Sequence, residues 1–264
     1  MNRVTVSRLR RMKQEGEKIV SLTAYDASFA RLMEDAGVEV ILVGDSLGMV
    51  VQGQSSTIPV TLDDMVYHTQ AVSRGTRDSL LIADMPFASY GSCQQALAGA
   101  ARLMQEGGAQ MVKLEVTGGM TETVSFLAQR GVPVCAHLGL LPQTVHKLGG
   151  YKVQGRGEAG EALVRDAKAM EAAGADLIVV ELIPVDVAKR ISESVSIPVI
   201  GIGAGVNCDG QVLVLYDMMG ITPGKRPRFS KDFLVETGSI PAALRAYVES
   251  VKEGHFPGPE HLIA

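Results

Sequence analysis

Apolar and polar positions along this chain come in blocks. Ile41-Leu42-Val43 runs into Gly44 and then Asp45-Ser46, Leu80-Leu81-Ile82-Ala83 ends in Asp84, and Met111-Val112-Lys113-Leu114 ends in Glu115. Val132 to Cys135 leads into His137, and Leu177 to Val180 ends in Glu181. Near-continuous apolar runs of this length are what parallel strands covered on both faces require. Each of these five runs delivers a polar or ionisable group at its C-terminal end.

The full pattern predicts strands over Lys18–Tyr25, Val38–Gly44, Ser79–Asp84, Met111–Val116, Val132–His137, Leu177–Glu181, Pro198–Ile202 and Val212–Leu215. Helical periodicity fills the intervals: Ala27–Ala36 closed by Gly37, a helix capped by Thr61, then Gln94–Gln105, Thr121–Arg130, Glu158–Ala173, Val185–Ser194 and Ala242–Lys252. Thr5–Gln14 reads as a short helix with Leu9 and Met12 on one face, placed to cap the fold. The long connections are Asp45–Pro59 and Leu138–Gly157, and a Pro/Gly/basic segment, Thr222–Arg228, precedes the last helix. Leu138–Gly157 carries Gly149-Gly150 and Gly155-Arg156-Gly157 and is expected to act as a partial lid.

Strict strand–helix alternation points to a parallel α/β sheet. Eight such units in 264 residues fit a (β/α)8 TIM barrel, one domain over 1–264 with a short N-terminal capping helix. A doubly wound sheet is the competitor, but its GxGxxG turn after the first strand is absent, and Gly201-Ile202-Gly203-Ala204-Gly205 has the wrong spacing and comes late. In a barrel the C-terminal strand ends carry function, and both long connections follow such ends.

Composition narrows the class further. The net charge of −4 and the lack of a basic block exclude nucleic acid and anionic membranes as expected partners. Cys93, Cys135 and Cys208 are far apart with no CxxC pair, which predicts buried thiols in a reducing compartment, without structural zinc or disulfides. Met1–Glu17 is basic and polar without an apolar core, unlike a secretory signal, and no apolar run approaches the ~20 residues that span a bilayer. The expectation is a soluble cytoplasmic protein.

On one barrel mouth Asp45, Asp84 and Glu115 would come from adjacent strands, and such carboxylates repel unless protonated or bridged by a cation. Oxygen donors without cysteine favour Mg²⁺ over zinc, with two of the three acids sufficient as direct ligands. The alternative for each acid is a helix cap or an ion-pair partner. Lys113 and Glu115, two apart, share a strand face. The lysine could hold a substrate carboxylate or enolate oxygen, form a Schiff base, or pair with Glu115 or Asp84. Glu181, between Val180 and Leu182, is placed for a raised pKa and a general-base role, or for a rim salt bridge. His137 is either a donor to a substrate oxygen or structural.

The strings TAYD (Thr23–Asp26), VGDSLG (Val43–Gly48), IPVTLDDMVYH (Ile58–His68), DMPF (Asp84–Phe87), HLGLLPQ (His137–Gln143), GGYKVQGRG (Gly149–Gly157), GIGAG (Gly201–Gly205) and DGQVLV (Asp209–Val214) together resemble the ketopantoate hydroxymethyltransferase family, from about Thr5 into the C-terminal helix. The resemblance implies a TIM-barrel enzyme of pantothenate biosynthesis that requires Mg²⁺. It would move a one-carbon unit from 5,10-methylenetetrahydrofolate to the keto acid 3-methyl-2-oxobutanoate. It implies a metal site of Asp45, Asp84 and Glu115, keto-acid contacts from Asp45, Ser46, Asp84, Lys113 and His137, and Glu181 as the base. It also implies a homo-oligomer, commonly a homodecamer. Three departures stand out: Val116-Thr117 precede Gly118-Gly119, Leu141 replaces a usual threonine, and Ala136 a common glycine. A carbon–carbon lyase or phosphoenolpyruvate-mutase-like barrel, and a metal- or folate-binding barrel without turnover, are the competing readings.

Overall fold

A computed structural model describes residues 3–222 and 224–262. Residues 1, 2, 263 and 264, within the expected 1–264 domain, and Pro223, within the Thr222–Arg228 segment, lie outside the described residues. The element order is α1 (Val6–Glu15), β1 (Ile19–Thr23), α2 (Ala27–Ala36), β2 (Val40–Val43), α3 (Leu47–Val50), α4 (Leu62–Gly75), β3 (Leu80–Asp84) and α5 (Cys93–Gln105). There follow β4 (Met111–Glu115), α6 (Met120–Ala128), β5 (Val134–Gly139), α7 (Val145–Leu148), α8 (Glu158–Ala172), β6 (Leu177–Glu181) and α9 (Val185–Ser194). The chain ends with β7 (Val199–Ile202), β8 (Gly210–Leu213), α10 (Leu215–Met218), α11 (Leu234–Thr237) and α12 (Ile240–Lys252).

The eight strands pair in sequence order, all parallel, and β8 closes on β1. The expected (β/α)8 barrel is therefore the observed fold. Its strands are buried along nearly their whole length because helices cover the outside and side chains fill the inside.

Helix α1 caps the barrel at the N-terminal strand ends, away from the ionisable groups. Thr5 accepts from the Arg8 N–H at its start, and Leu9 and Met12 are buried as the pattern predicts. Lys13 Nζ reaches the carbonyls of Ser192 and Ile197 and the Asp209 carboxylate, while Arg10 pairs with Asp176. These partners precede β6, β7 and β8, so α1 ties three strand entrances together.

In three elements the boundaries differ from the apolar pattern for identifiable reasons. Strand β5 begins at Val134, after Pro133, whose missing N–H disfavours a ladder position, and it extends to Gly139. Helix α12 starts at Ile240 because Pro241 is tolerated in a first helical turn. Strand β8 is Gly210–Leu213, not Val212–Leu215, and Leu215 opens α10, its N–H bonded to Thr23 Oγ1 at 3.0 Å.

The displaced start of β8 reflects close approach at the closure seam. Gly210 pairs with Ile19, and a Cβ at Gly210 would lie 2.3 Å from the Ile19 carbonyl oxygen. A glycine is needed there by distance, so an apolar-run criterion misses it. Substituting Gly210→Ala should force the seam apart and lower stability by about 1–3 kcal/mol, as overpacking in a core does. Urea unfolding of parent and variant reads this, with an unchanged midpoint counting against it.

Candidate active site

The strand register sets the order of groups around the mouth. Asp84 at the end of β3 lies beside Lys113 of β4, Glu115 beside His137 of β5, and Gly139 beside Glu181 of β6. Asp45 and Ser46 follow β2 directly, on its shared edge with β3. The structure thus gathers all of the sequence-derived candidates at one end of the barrel.

Lys113 Nζ donates to Asp84 Oδ1 at 2.8 Å in a buried ion pair. The other Asp84 oxygen, Oδ2, accepts from the Asp45 main-chain N–H at 3.1 Å. Burial works against the Lys113 ammonium, but the Asp84 and Asp45 charges outweigh it and raise its pKa. A lysine held protonated is a poor Schiff-base nucleophile, which favours the ion-pair alternative with Asp84. None of the acids serves as a helix cap: the next helices after Asp45, Asp84, Glu115 and Glu181 have Ser46, Ser92, Gly119 and Pro184 at their N-caps.

The remaining carboxyls are short of positive charge. Asp45 is pushed up to about 7 by burial and the neighbouring Asp84. Glu115 is pushed up to about 9 by burial and by Asp45, and Glu181 to about 7 by burial, with Lys113 opposing. The rise at Glu181 expected from its apolar flanks is present, even though its side chain keeps 15% of its surface exposed. Among the described residues, no group of three or more His, Cys, Asp or Glu is gathered tightly enough to form a metal cage. Asp45 and Asp84, two oxygen-bearing acids at the β2 and β3 ends, are the residues that would suit a hard divalent cation such as Mg²⁺. Glu115 takes both its hydrogen bonds from the Gln143 main chain, at 3.1 Å each.

His137 is fully enclosed and kept neutral: burial, then the Lys113 charge, lower its pKa well below the usual histidine range. Its Nε2 is 3.2 Å from Glu181 Oε2 and its Nδ1 4.0 Å from Glu115 Oε1, but neither nitrogen is aligned for a hydrogen bond. A buried imidazole with unpaired nitrogens calls for an explanation, and a ligand oxygen in the chamber supplies one.

Three residues outside the sequence-derived set complete the mouth. The Tyr25 hydroxyl lies 2.9 Å from Ser46 Oγ, and Gln143 and Tyr90 hydrogen-bond to each other beside Asp45 and Glu115. Tyr25 ends the first apolar run, so the strand-end rule applied to β1 identifies it; Gln143 and Tyr90 lie in connections and carry no such signal. Leu182, directly after Glu181, has a left-handed backbone with φ of 50°, and Ala88 does likewise at 62°. A cavity of about 680 Å³ opens beside the chamber, lined by Phe87, Tyr90, Glu115, Met120, Phe126 and Gln143 among others. Thr117, Gly118 and Gly119 of the departure after Glu115 also line it. The Leu138–Gly157 connection is anchored in its first half: Gln143 is buried and a 3₁₀ turn, Pro142–Thr144, leads into α7. Among the described residues no helix is long and apolar enough to cross a membrane, and all three cysteines are unpaired.

Comparison with known proteins gives a consistent result. Solved structures with similar folds include a phosphonopyruvate hydrolase (TM-score 0.62, 15% identity, 81% of this chain and 80% of that one). A 2,3-dimethylmalate lyase is also similar (TM-score 0.59, 16% identity, 96% and 98%). At such identities the likeness shows the barrel alone. Among curated sequences, a 3-methyl-2-oxobutanoate hydroxymethyltransferase of Alkalilimnicola ehrlichii is 59% identical over 259 residues, covering 98% of this chain and 94% of that protein. Its namesake from Nitrosococcus oceani is 58% identical over 258 residues, covering 97% and 98%. The family model described as Ketopantoate hydroxymethyltransferase matches residues 3–259, and the chain belongs to that family of enzymes.

Proposed function

We propose that the protein transfers a hydroxymethyl group from 5,10-methylenetetrahydrofolate to C3 of 3-methyl-2-oxobutanoate, giving 2-dehydropantoate for pantothenate biosynthesis. The names of its close relatives support the activity. The observation that carries the mechanism is the buried group of Asp45, Asp84, Lys113, Glu115 and His137 with the partly exposed Glu181 beside it, one paired ammonium among four carboxyls.

Asp45 and Asp84 would hold Mg²⁺, with Glu115 beside them, and the ion when bound would polarise the 2-oxo acid and acidify its C3–H. Ser46, oriented by Tyr25, and Lys113 contact the keto acid's oxygens. Neutral His137 offers a ring N–H to an oxygen of the same molecule. Glu181, raised to about 7, takes the C3 proton near neutral pH. Lys113 offsets the negative charge that develops on the oxygen as the proton leaves. The carbanionic C3 forms the new carbon–carbon bond to the methylene of the donor's iminium form. Water then supplies the hydroxyl as the carbon–nitrogen bond breaks, and tetrahydrofolate leaves with the electron pair and a proton.

Proton abstraction in this scheme does not need the folate. The enzyme with Mg²⁺ and keto acid in deuterium oxide should exchange the C3 hydrogen, followed by proton NMR. Glu181→Gln keeps shape but cannot accept the proton, so exchange should fall by ~10²–10⁴-fold. Exchange at the parent rate would remove Glu181 from the base role.

The raised carboxyls also predict a pH-dependent stability. Asp45 and Glu115, at about 7 and about 9 when folded, bind protons more tightly in the folded than in the unfolded chain. Without divalent cations, stability is therefore greatest at the acid end of this window and falls as pH rises from the ordinary carboxyl range toward about 9. Mg²⁺ should raise the melting temperature most at alkaline pH. Asp45→Asn removes one repelling charge, so it should melt higher than the parent without cations at alkaline pH and gain less from Mg²⁺. An undiminished Mg²⁺ gain would take Asp45 out of the metal site. Asp84→Asn is a poorer probe, because it strands the buried Lys113 charge.

A further inference from the structure

Gln143 carries polar atoms that meet groups at the C-terminal ends of β2, β3 and β4 together. Its main-chain N–H bonds the Glu115 carboxylate, its Nε2 donates to Asp45 Oδ2 at 2.8 Å and to the Met85 carbonyl at 2.9 Å, and its Oε1 accepts from the Tyr90 hydroxyl. Both amide hydrogens and the amide oxygen are used, in a side chain that is almost fully buried. The Met85 carbonyl favours this orientation: a half-turn of the amide would set the amide oxygen against an acceptor that cannot donate. Glutamine is also neutral. It satisfies Asp45 without adding a second ammonium or guanidinium to compete for the carboxylates.

Its placement matters as much as its bonds. Gln143 and Tyr90 line the cavity of about 680 Å³ on one side, while Gln143 touches Asp45 on the other. The residue forms part of the wall between that cavity and the carboxylate chamber. It also comes from the connection after β5, so it brings a segment otherwise outside the β2–β4 arc into register with it.

We propose that Gln143 is a positioning residue for the reaction: it holds the Asp45 carboxylate in place from the loop after β5, with Tyr90 setting the direction of its amide. The kinetic consequence rests on the function proposed above; the positional one does not. Gln143→Ala keeps the main-chain bond to Glu115 but releases Asp45, Tyr90 and the Met85 carbonyl. A misplacement on the order of 1 Å costs ~10²-fold in rate, so kcat should fall by about that factor. KM for the keto acid should stay within about twofold, the pattern of an interaction that matters in the transition state. Tyr90→Phe should lower kcat by a smaller factor, and the double variant should be no slower than Gln143→Ala, because both act through the same amide.

Crystal structures of the variants supply the second measurement. The Asp45 carboxylate should leave its parent position in Gln143→Ala while Glu115 stays. If Gln143→Ala does not fold, Gln143→Asn, which keeps the amide but falls one methylene short of Asp45, carries both measurements. A purely structural role predicts a lowered melting temperature with parent kcat, and that result, or an unmoved Asp45, overturns the proposal. Losses that multiply in the double variant also overturn it. If the parent enzyme does not turn over the keto acid with the folate, the proposed function falls, and the position of Asp45 alone decides the role of Gln143.

Discussion

Moving a carboxylate and an ammonium out of water carries a penalty of several kcal/mol for each ion, repaid only when the two meet at close range with their other valences satisfied. Lys113 and Asp84 meet that condition at 2.8 Å, on neighbouring strands whose register puts them side by side. Removing one member of such a pair leaves an uncompensated buried charge, about 3–5 kcal/mol. The pair therefore constrains the barrel mouth as a whole. It sets the position of Asp84, and through the second Asp84 oxygen it sets the main chain at Asp45.

One buried ammonium cannot balance every acid around it. Asp45, Glu115 and Glu181 are left with raised pKa values, and the groups that bond them are neutral. Gln143 supplies amide hydrogens, and His137 sits against Glu181 as a neutral imidazole that adds no positive charge. The same shortage accounts for two proposed properties: a place for a hard divalent cation at Asp45 and Asp84, and a carboxyl at Glu181 whose affinity for a proton suits an acidified C–H. A second lysine in the chamber would lower all three pKa values and remove both properties.

The barrel was legible from the sequence because it follows from a repeated event, an apolar run ending in a polar group. That criterion located Asp45, Asp84, Glu115 and Glu181 at strand ends and put Lys113 on the Glu115 face. It did not locate β8 correctly, because Gly210 and Gln211 open that strand and neither is apolar; the glycine is required by proximity to the Ile19 carbonyl. It also missed Gln143 and Tyr90. Their importance depends on contacts between the loops after β5 and β3, and no periodicity encodes such contacts. His137 was visible as a candidate, but its unpaired nitrogens are a property of the enclosure and not of the local sequence.

Leu182 places a branched side chain on a left-handed backbone immediately after Glu181, at a cost of roughly 1–2 kcal/mol relative to the right-handed region. The neighbours hold it there: its N–H donates to the Ile202 carbonyl at 2.9 Å, and its carbonyl accepts from the Gln154 N–H at 2.9 Å. The sharp turn at the end of β6 is thus clamped from both sides, once by β7 and once by the long connection after β5. A glycine could occupy the same φ at ease, but it could also swing through many others. With leucine, the backbone carrying the carboxylate has few alternative shapes to visit, so the aim of Glu181 toward the chamber is already set before any substrate arrives.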